Sequence, residues 1–306
     1  MASYFTRERL DAWYKAARPR TLTATYAPLG LAAAIALSQG VFEPVRFVLS
    51  LIGALFLQIA ANLINEYFDY RRGADALKEA GQGMIIKNQL LTPQMVLMGA
   101  ILTVLVGCVI GLFLLFQSGP LLLWIGLGGV LVVITYTAGP FPLAYNGLGE
   151  IAVFIFMGPL MVLGAYYVMS PRFDWLPVIA GIPLGAMVAA ILHANNIRDM
   201  DADRAVNKRT LALRLGLRGA RIEYMVLVGG AYVLVGVLVI VGSIPPTTLL
   251  VLVTLPEARR LIEIVTTRTD TALLHQAQGR TARLHGQFGL WMVIGWLMWL
   301  ALNVLL

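Results

Sequence analysis

Runs of about twenty residues with almost no charge recur along this chain, and they decide its solvent before anything else. A helix rising 1.5 Å per residue needs roughly 20 mostly apolar residues to cross the hydrocarbon core of a bilayer. Nine segments meet that description: 21–39, 47–68, 94–116, 119–137, 148–169, 176–196, 222–242, 246–264 and 286–306. The eighth is interrupted by Pro256, Glu257, Arg259 and Arg260, which predicts a kinked or short span. Charged residues make up 13% of the chain and apolar ones 59%, against about 25% charged in an ordinary soluble domain. The expected fold is therefore all-α: a polytopic membrane bundle of about nine transmembrane helices, formed by residues 1–306 as one domain.

The formal net charge of +7 could suggest nucleic acid, but the basic residues are not arranged for it. They lie in short loops between apolar runs, where positive charge reports orientation. With the N-terminus in the cytoplasm, only Arg46 and Arg172 of the 23 lysines and arginines fall in outer loops. That bias predicts a cytoplasmic N-terminus and an outer C-terminus, as an odd number of spans requires; the expected location is the inner membrane of a bacterial or archaeal cell. No cleavable signal peptide is visible; residues 7–20 read instead as a short amphipathic helix at the interface. A single cysteine, Cys108, excludes an internal disulfide and a thiolate zinc site. No phosphate-binding glycine motif is present, so no nucleotide site is expected.

The long polar loops all fall on the cytoplasmic side, and two of them share a pattern. After the second span come Asn62, Asn65, Glu66, Asp69 and Asp75; after the sixth come Asn195, Asn196, Asp199 and Asp203. Asn62, Asn65, Glu66 and Asp69 fall at helical spacing on one face, as do Asn195, Asn196, Asp199 and Asp203. The interval from Asn62 to Asp69 is repeated from Asn196 to Asp203, which resembles a two-fold internal repeat. Oxygen ligands on two helix ends suit a hard cation, and Mg²⁺ in particular binds through one or two carboxylates plus substrate phosphates. Acids at a membrane boundary are often plain loop charge, but two matching clusters argue for a site. Basic residues flank both: Arg71, Arg72, Lys78 and Lys87 in the first loop, Arg198, Lys208 and Arg209 in the second. Topology alone accounts for most of them; Lys87 and Arg198, then Arg72 and Lys208, are the candidates for clamping a diphosphate, with Arg18 and Arg20 behind them. The one inner loop without Lys or Arg, 138–147, is a Gly/Pro turn. Tyr136, Tyr145 and Asn146 either line an aromatic-acceptor pocket there or simply pack the turn. Glu150 complements the next helix N-terminus, and His193 reads as a packed or interfacial histidine.

Four segments carry a family resemblance: Ala17–Thr21, Asn62–Asp75, Tyr136–Glu150, and Asn195–Arg204 continuing from Lys208 to Gly216. Together they resemble the UbiA superfamily of membrane prenyltransferases, and within it the branch that prenylates 1,4-dihydroxy-2-naphthoate for menaquinone. The family usually has Asp after the Asn of the first motif; here the residue is Glu66. The resemblance implies nine helices and Mg²⁺ as cofactor. It implies Asn62, Glu66, Asp69 and Asp75 binding one Mg²⁺–diphosphate unit from one side, and Asn196, Asp199 and Asp203 from the other. Asp69 and Asp199 are then the carboxylates on which turnover depends. The implied substrates are a polyprenyl diphosphate and an aromatic acceptor, with loss of CO₂ to give demethylmenaquinone if the acceptor is the naphthoate. 4-Hydroxybenzoate or another aromatic, haem and an archaeal glycerol lipid stay open as acceptors. A secondary transporter would place its ionisable groups near the bilayer midplane, and a non-catalytic assembly protein would release no diphosphate.

Overall fold

The computed structural model describes residues 7–75 and 84–305, and the regular structure among them is helical throughout. Lys78 lies outside the described residues. In chain order the helices are α1 (Arg7–Ala16), α2 (Thr23–Ser38), α3 (Pro44–Arg71), α4 (Pro93–Ser118), α5 (Pro120–Thr135), α6 (Gly149–Met157), α7 (Pro159–Met169), α8 (Trp175–Arg198), α9 (Met200–Ala205), α10 (Leu211–Ile240), α11 (Leu255–Thr267) and α12 (Thr271–Leu305). Their starts are written locally. The side chains of Thr92, Asp174 and Thr210 accept from backbone N–H groups of the first turns of α4, α8 and α10, satisfying donors that a helix leaves unpaired. Proline at the first positions of α3, α4, α5 and α7 removes one such donor altogether.

The expected count of nine full spans needs correction. Six helices are long and apolar enough to cross a membrane, with α6 and α7 taken as one, and a seventh forms if α1 and α2, bent by 53°, count together. Two expected spans fall short of that length. α5 has 16 residues, about 24 Å of helix. The segment 246–264 divides into a 3-10 helix, Pro246–Thr254, and α11. Pro256 lacks the N–H that would carry α-type bonding back across that junction. The chain still returns there to the end it left, since Arg221 near the start of α10 donates to the carbonyl of Arg268 just past α11, at 2.7 Å. This is an integral membrane protein of the expected helical class.

α8 forms the centre, with two thirds of its apolar window buried against α6, α7, α10 and α12. Close approach here depends on glycine. A Cβ on Gly158, at the break between α6 and α7, would lie 2.5 Å from the Cα of Gly185 on α8. In a lipid solvent, such small-residue contacts let van der Waals packing hold helices together. The polar ends of α3 and α8 finish at the same end of the bundle, and the segment 136–148 lies between them.

Candidate active site

α3 runs on past its apolar stretch to Arg71 and carries Asn62, Glu66 and Asp69 on one face, all three buried. Asn62 donates to the carbonyl of Ala17 at 2.9 Å, tying the N-terminal segment to this face. Gly73, at φ +72°, then turns the chain in a conformation that disfavours any side chain. The turn closes with Ala74 N–H on the carbonyl of Asp69 and leaves Asp75 buried beside the same face.

The second motif is built around a guanidinium. Arg198 ends α8, and its Nε and one terminal nitrogen grip both oxygens of Asp199, at 2.6 and 2.7 Å. Its remaining N–H groups reach Asn195 at 2.7 Å, Gln278 at 3.0 Å and His275 at 2.9 Å. Bidentate pairing of this kind fixes both partners in orientation as well as position. Asp203, fully buried, has Lys208 at 3.3 Å.

Tyr145 joins the two motifs. Its hydroxyl donates to Asp69 at 2.7 Å. The ring takes the guanidinium of Arg72 on its face at 4.7 Å and the ammonium of Lys208 at 5.3 Å. Its carbonyl accepts from the N–H of Arg209. Burial, and then the neighbouring Asp69 carboxylate, push the phenol well above its ordinary pKa, so it remains a donor. Tyr145→Phe keeps the ring but removes a hydrogen bond to a charged group, worth about 1.5–3 kcal/mol. A drop of several degrees in the thermal midpoint in detergent is expected; an unchanged midpoint would remove the bridging role.

Below these groups lies a cavity of about 600 Å³. Asn62, Asn65, Asp69, Asp75, Asn196, Arg198 and Lys208 line its polar end, with Tyr136 beside them. The rest is apolar and deep. On α3 the lining runs from Asp69 back to Ser50, about 28 Å of helix. Gly111, Gly126 and Gly129 line it with open space where a Cβ would stand. Leu112, Leu123 and Leu127 line it and are themselves exposed, so the cavity is open on the side formed by α4 and α5.

Several expected site residues have other occupations. Glu66 is 1% exposed, and its two oxygens accept from the backbone N–H groups of Met84, Ile85 and Ile86 and from Arg18. Three successive amides form a nest that suits an anion, so Glu66 secures the turn carrying Lys87 rather than facing the cavity. Asn146 donates to the carbonyl of Pro142 and caps its own turn. Asp199 is engaged by Arg198, and Asp203 stands beside Lys208; neither lines the cavity.

Among the described residues, no three His, Cys, Asp or Glu side chains converge as a ready-made metal cage. The donors at the polar end are nonetheless hard oxygens. Asn65 lines that end, and its Oδ1 is buried without a hydrogen-bond donor among the described residues. An oxygen-rich mouth, with an orphaned acceptor buried beside it, fits a hard cation that completes its coordination with ligand phosphates and water.

Sequence reasoning missed the contribution of α12. Gln278 and His275 hold Arg198, and the only available signal was a pair of polar residues in the first turns of a long helix.

A family model described as the UbiA prenyltransferase family matches residues 26–273. The 1,4-dihydroxy-2-naphthoate octaprenyltransferase of Bacillus subtilis is 31% identical over 278 residues, covering 91% of this chain and 89% of the relative. The enzyme of the same name from Mycobacterium tuberculosis is 37% identical over 230 residues, covering 74% and 78%. A solved structure of a UbiA homolog from Archaeoglobus fulgidus, bound to GPP and Mg²⁺, superposes with a TM-score of 0.58 at 13% identity, covering 92% of this chain and 99% of that one. At that identity the likeness speaks for the fold, while the family match and the two relatives speak for descent. This chain belongs to the UbiA prenyltransferase family.

Proposed function

We propose that this prenyltransferase moves a polyprenyl group from its diphosphate to 1,4-dihydroxy-2-naphthoate, with Mg²⁺ as cofactor, at the cytoplasmic face of the membrane. The observation that carries the reading is the single cavity with two unlike ends: oxygen and cationic groups at one, a long apolar channel open to lipid at the other. A diphosphate with an isoprenoid tail has that same division. The naphthoate as acceptor rests on the names of the relatives, and the orientation on the bias of basic residues.

Asn62, Asp69 and Asp75 from α3 and the turn after it, with Asn196 from α8, are the groups placed to hold the cation and diphosphate. Asp199 and Asp203 stand behind them with Arg198 and Lys208. Bound Mg²⁺ would neutralise the charge that grows on the leaving diphosphate. Lys208, Arg198, Arg72 and Lys87 supply further positive charge around it. The allylic C–O bond breaks with its electron pair going to diphosphate. The ring carbon bearing the carboxylate then bonds to the allylic carbon. Loss of CO₂ returns its electron pair to the ring, so no oxidant is needed and the immediate product is the hydroquinone of demethylmenaquinone. The apolar walls keep bulk water from trapping the allylic cation. Tyr136 lines the cavity near Asp69 and is the residue placed to bound the acceptor; Tyr145 acts through Asp69 instead.

The test is a prenyl-transfer assay on the purified chain with carboxyl-labelled 1,4-dihydroxy-2-naphthoate. Labelled CO₂ should appear in step with prenylated product, and EDTA should stop both. Transfer to 4-hydroxybenzoate, haem or a glycerol phosphate, with none to the naphthoate, would reassign the acceptor. Full turnover in EDTA would remove the metal from the mechanism.

A further inference from the structure

A buried ionic cluster sits behind the second motif. Glu150, at the start of α6, is 4% exposed, Asn196 on α8 is 4% exposed, and His193, one turn earlier on α8, is fully buried. Glu150 Oε1 accepts from Asn196 Nδ2 at 2.8 Å and lies 3.1 Å from His193 Nδ1. His193 Nε2 is 2.8 Å from the carbonyl of Ala220 and 3.4 Å from Glu223 Oε2, both on α10. The cluster therefore cross-links three helices beside the polar end of the cavity that Asn196 lines.

Its geometry dictates one orientation. A carboxylate only accepts, so the Asn196 amide must present its nitrogen to Glu150. Its Oδ1 is then the atom left for the cavity that Asn196 lines. Both His193 nitrogens face acceptors, so both donate, and the ring compensates the buried Glu150 charge without drawing on the cations of the cavity. Groups behind a ligand that fix its rotamer are as much a part of a cation site as the ligand itself.

Resting on the prenyl diphosphate reading above, we infer that Glu150, held by His193, is a positioning residue: it locks the Asn196 carbonyl oxygen toward the cavity and thereby sets the affinity for the cation–diphosphate pair. Glu150 needs no contact with substrate for this, and the role is separate from completing the α6 N-terminus.

The experiment exchanges donor and acceptor. Glu150→Gln can turn either end of its amide to Asn196, so the lock is lost. Asn196→Asp sets two carboxylates against each other. In the double variant the amide nitrogen now at position 150 takes the place of Oε1, which met both partners: one of its hydrogens goes to the carboxylate now at position 196 and the other to His193 Nδ1, which accepts as the neutral ring while Nε2–H stays on Ala220. The pair is restored in reverse. Binding of the unreactive farnesyl thiodiphosphate to the full chain in nanodiscs is followed by calorimetry across a Mg²⁺ titration. Each single variant should weaken Mg²⁺-dependent binding by about 10–100-fold, and the double variant should recover to within about threefold of wild type. Wild-type binding by Glu150→Gln, or a double variant no better than Asn196→Asp, overturns the inference. If a single variant does not fold, the double variant decides alone, and its own failure to fold counts against the swap. Wild-type protein that shows no Mg²⁺-dependent binding would instead sink the prenyl diphosphate reading itself.

Discussion

Asp69→Asn is expected to lower prenyl transfer at least about a hundredfold, the scale seen when one preorganised electrostatic contact to a transition state is removed. The substitution suits the purpose because it changes charge and little else. Tyr145 donates to Asp69, and an asparagine oxygen can accept the same bond, so the bridge between the two motifs survives. What disappears is a negative charge at the polar end of the cavity, where the proposed mechanism holds a cation against the departing diphosphate. Insertion and thermal midpoint should therefore stay near wild type while the rate collapses. Asp199→Asn should lower the rate in the same direction, with a stability loss added, because Arg198 is buried and would lose its bidentate partner. Steady-state rates on purified, correctly folded protein decide the matter. A wild-type rate in Asp69→Asn would show that this carboxylate does not carry the metal.

The second large effect concerns the tail. Gly126→Phe on α5 should abolish use of long prenyl diphosphates while sparing the shortest. Gly126 lines the cavity, and a Cβ built there meets no other atom within 4 Å. A phenyl ring can therefore enter the channel without displacing backbone, which is why the prediction is one of selectivity rather than misfolding. Gly111 on α4 has the same open surroundings, and Gly111→Phe offers an independent plug. Because the tail comes from lipid, its exclusion forfeits no transfer from water; the effect is steric, so kcat/KM should fall for chains long enough to meet the ring and hold for those too short to reach it. Competition between dimethylallyl, geranyl, farnesyl and octaprenyl diphosphates gives the profile. An octaprenyl-to-geranyl preference equal to wild type would mean that the tail runs elsewhere.

Hydropathy carried the fold class because lipid leaves the backbone only helices or closed barrels, and continuous apolar runs of about 20 residues report helices rather than short alternating strands. It failed where length and backbone geometry part company. Apolar composition marks 119–137 as a span, yet α5 has only 16 residues; at 246–264 Pro256 and the charges after it already predicted a kinked or short span, and the structure divides it into two pieces. The acidic motifs were legible for a similar reason: helical spacing alone sets Asn62, Glu66 and Asp69 on one face. Spacing could not reveal who holds whom. Glu66 looks like a ligand in a list of residues, but the backbone amides of 84–86 reach it only once the chain has folded back. Gln278 and His275 come from a region with no motif at all. Tyr145 was picked out with its aromatic turn, but not as a link between Asp69, Arg72 and Lys208. His193 was rightly read as packed; the two carboxylates around it come from α6 and α10, and no local pattern announces them.

The opening on the side formed by α4 and α5 has a kinetic consequence. A substrate that enters through that slit never passes through water, so the relevant concentration is its mole fraction among the surrounding lipids. Diluting the membrane with inert phospholipid should then slow the enzyme even when every bulk concentration is held constant. A prenylated product would leave by the same slit, directly into the two-dimensional phase of the bilayer.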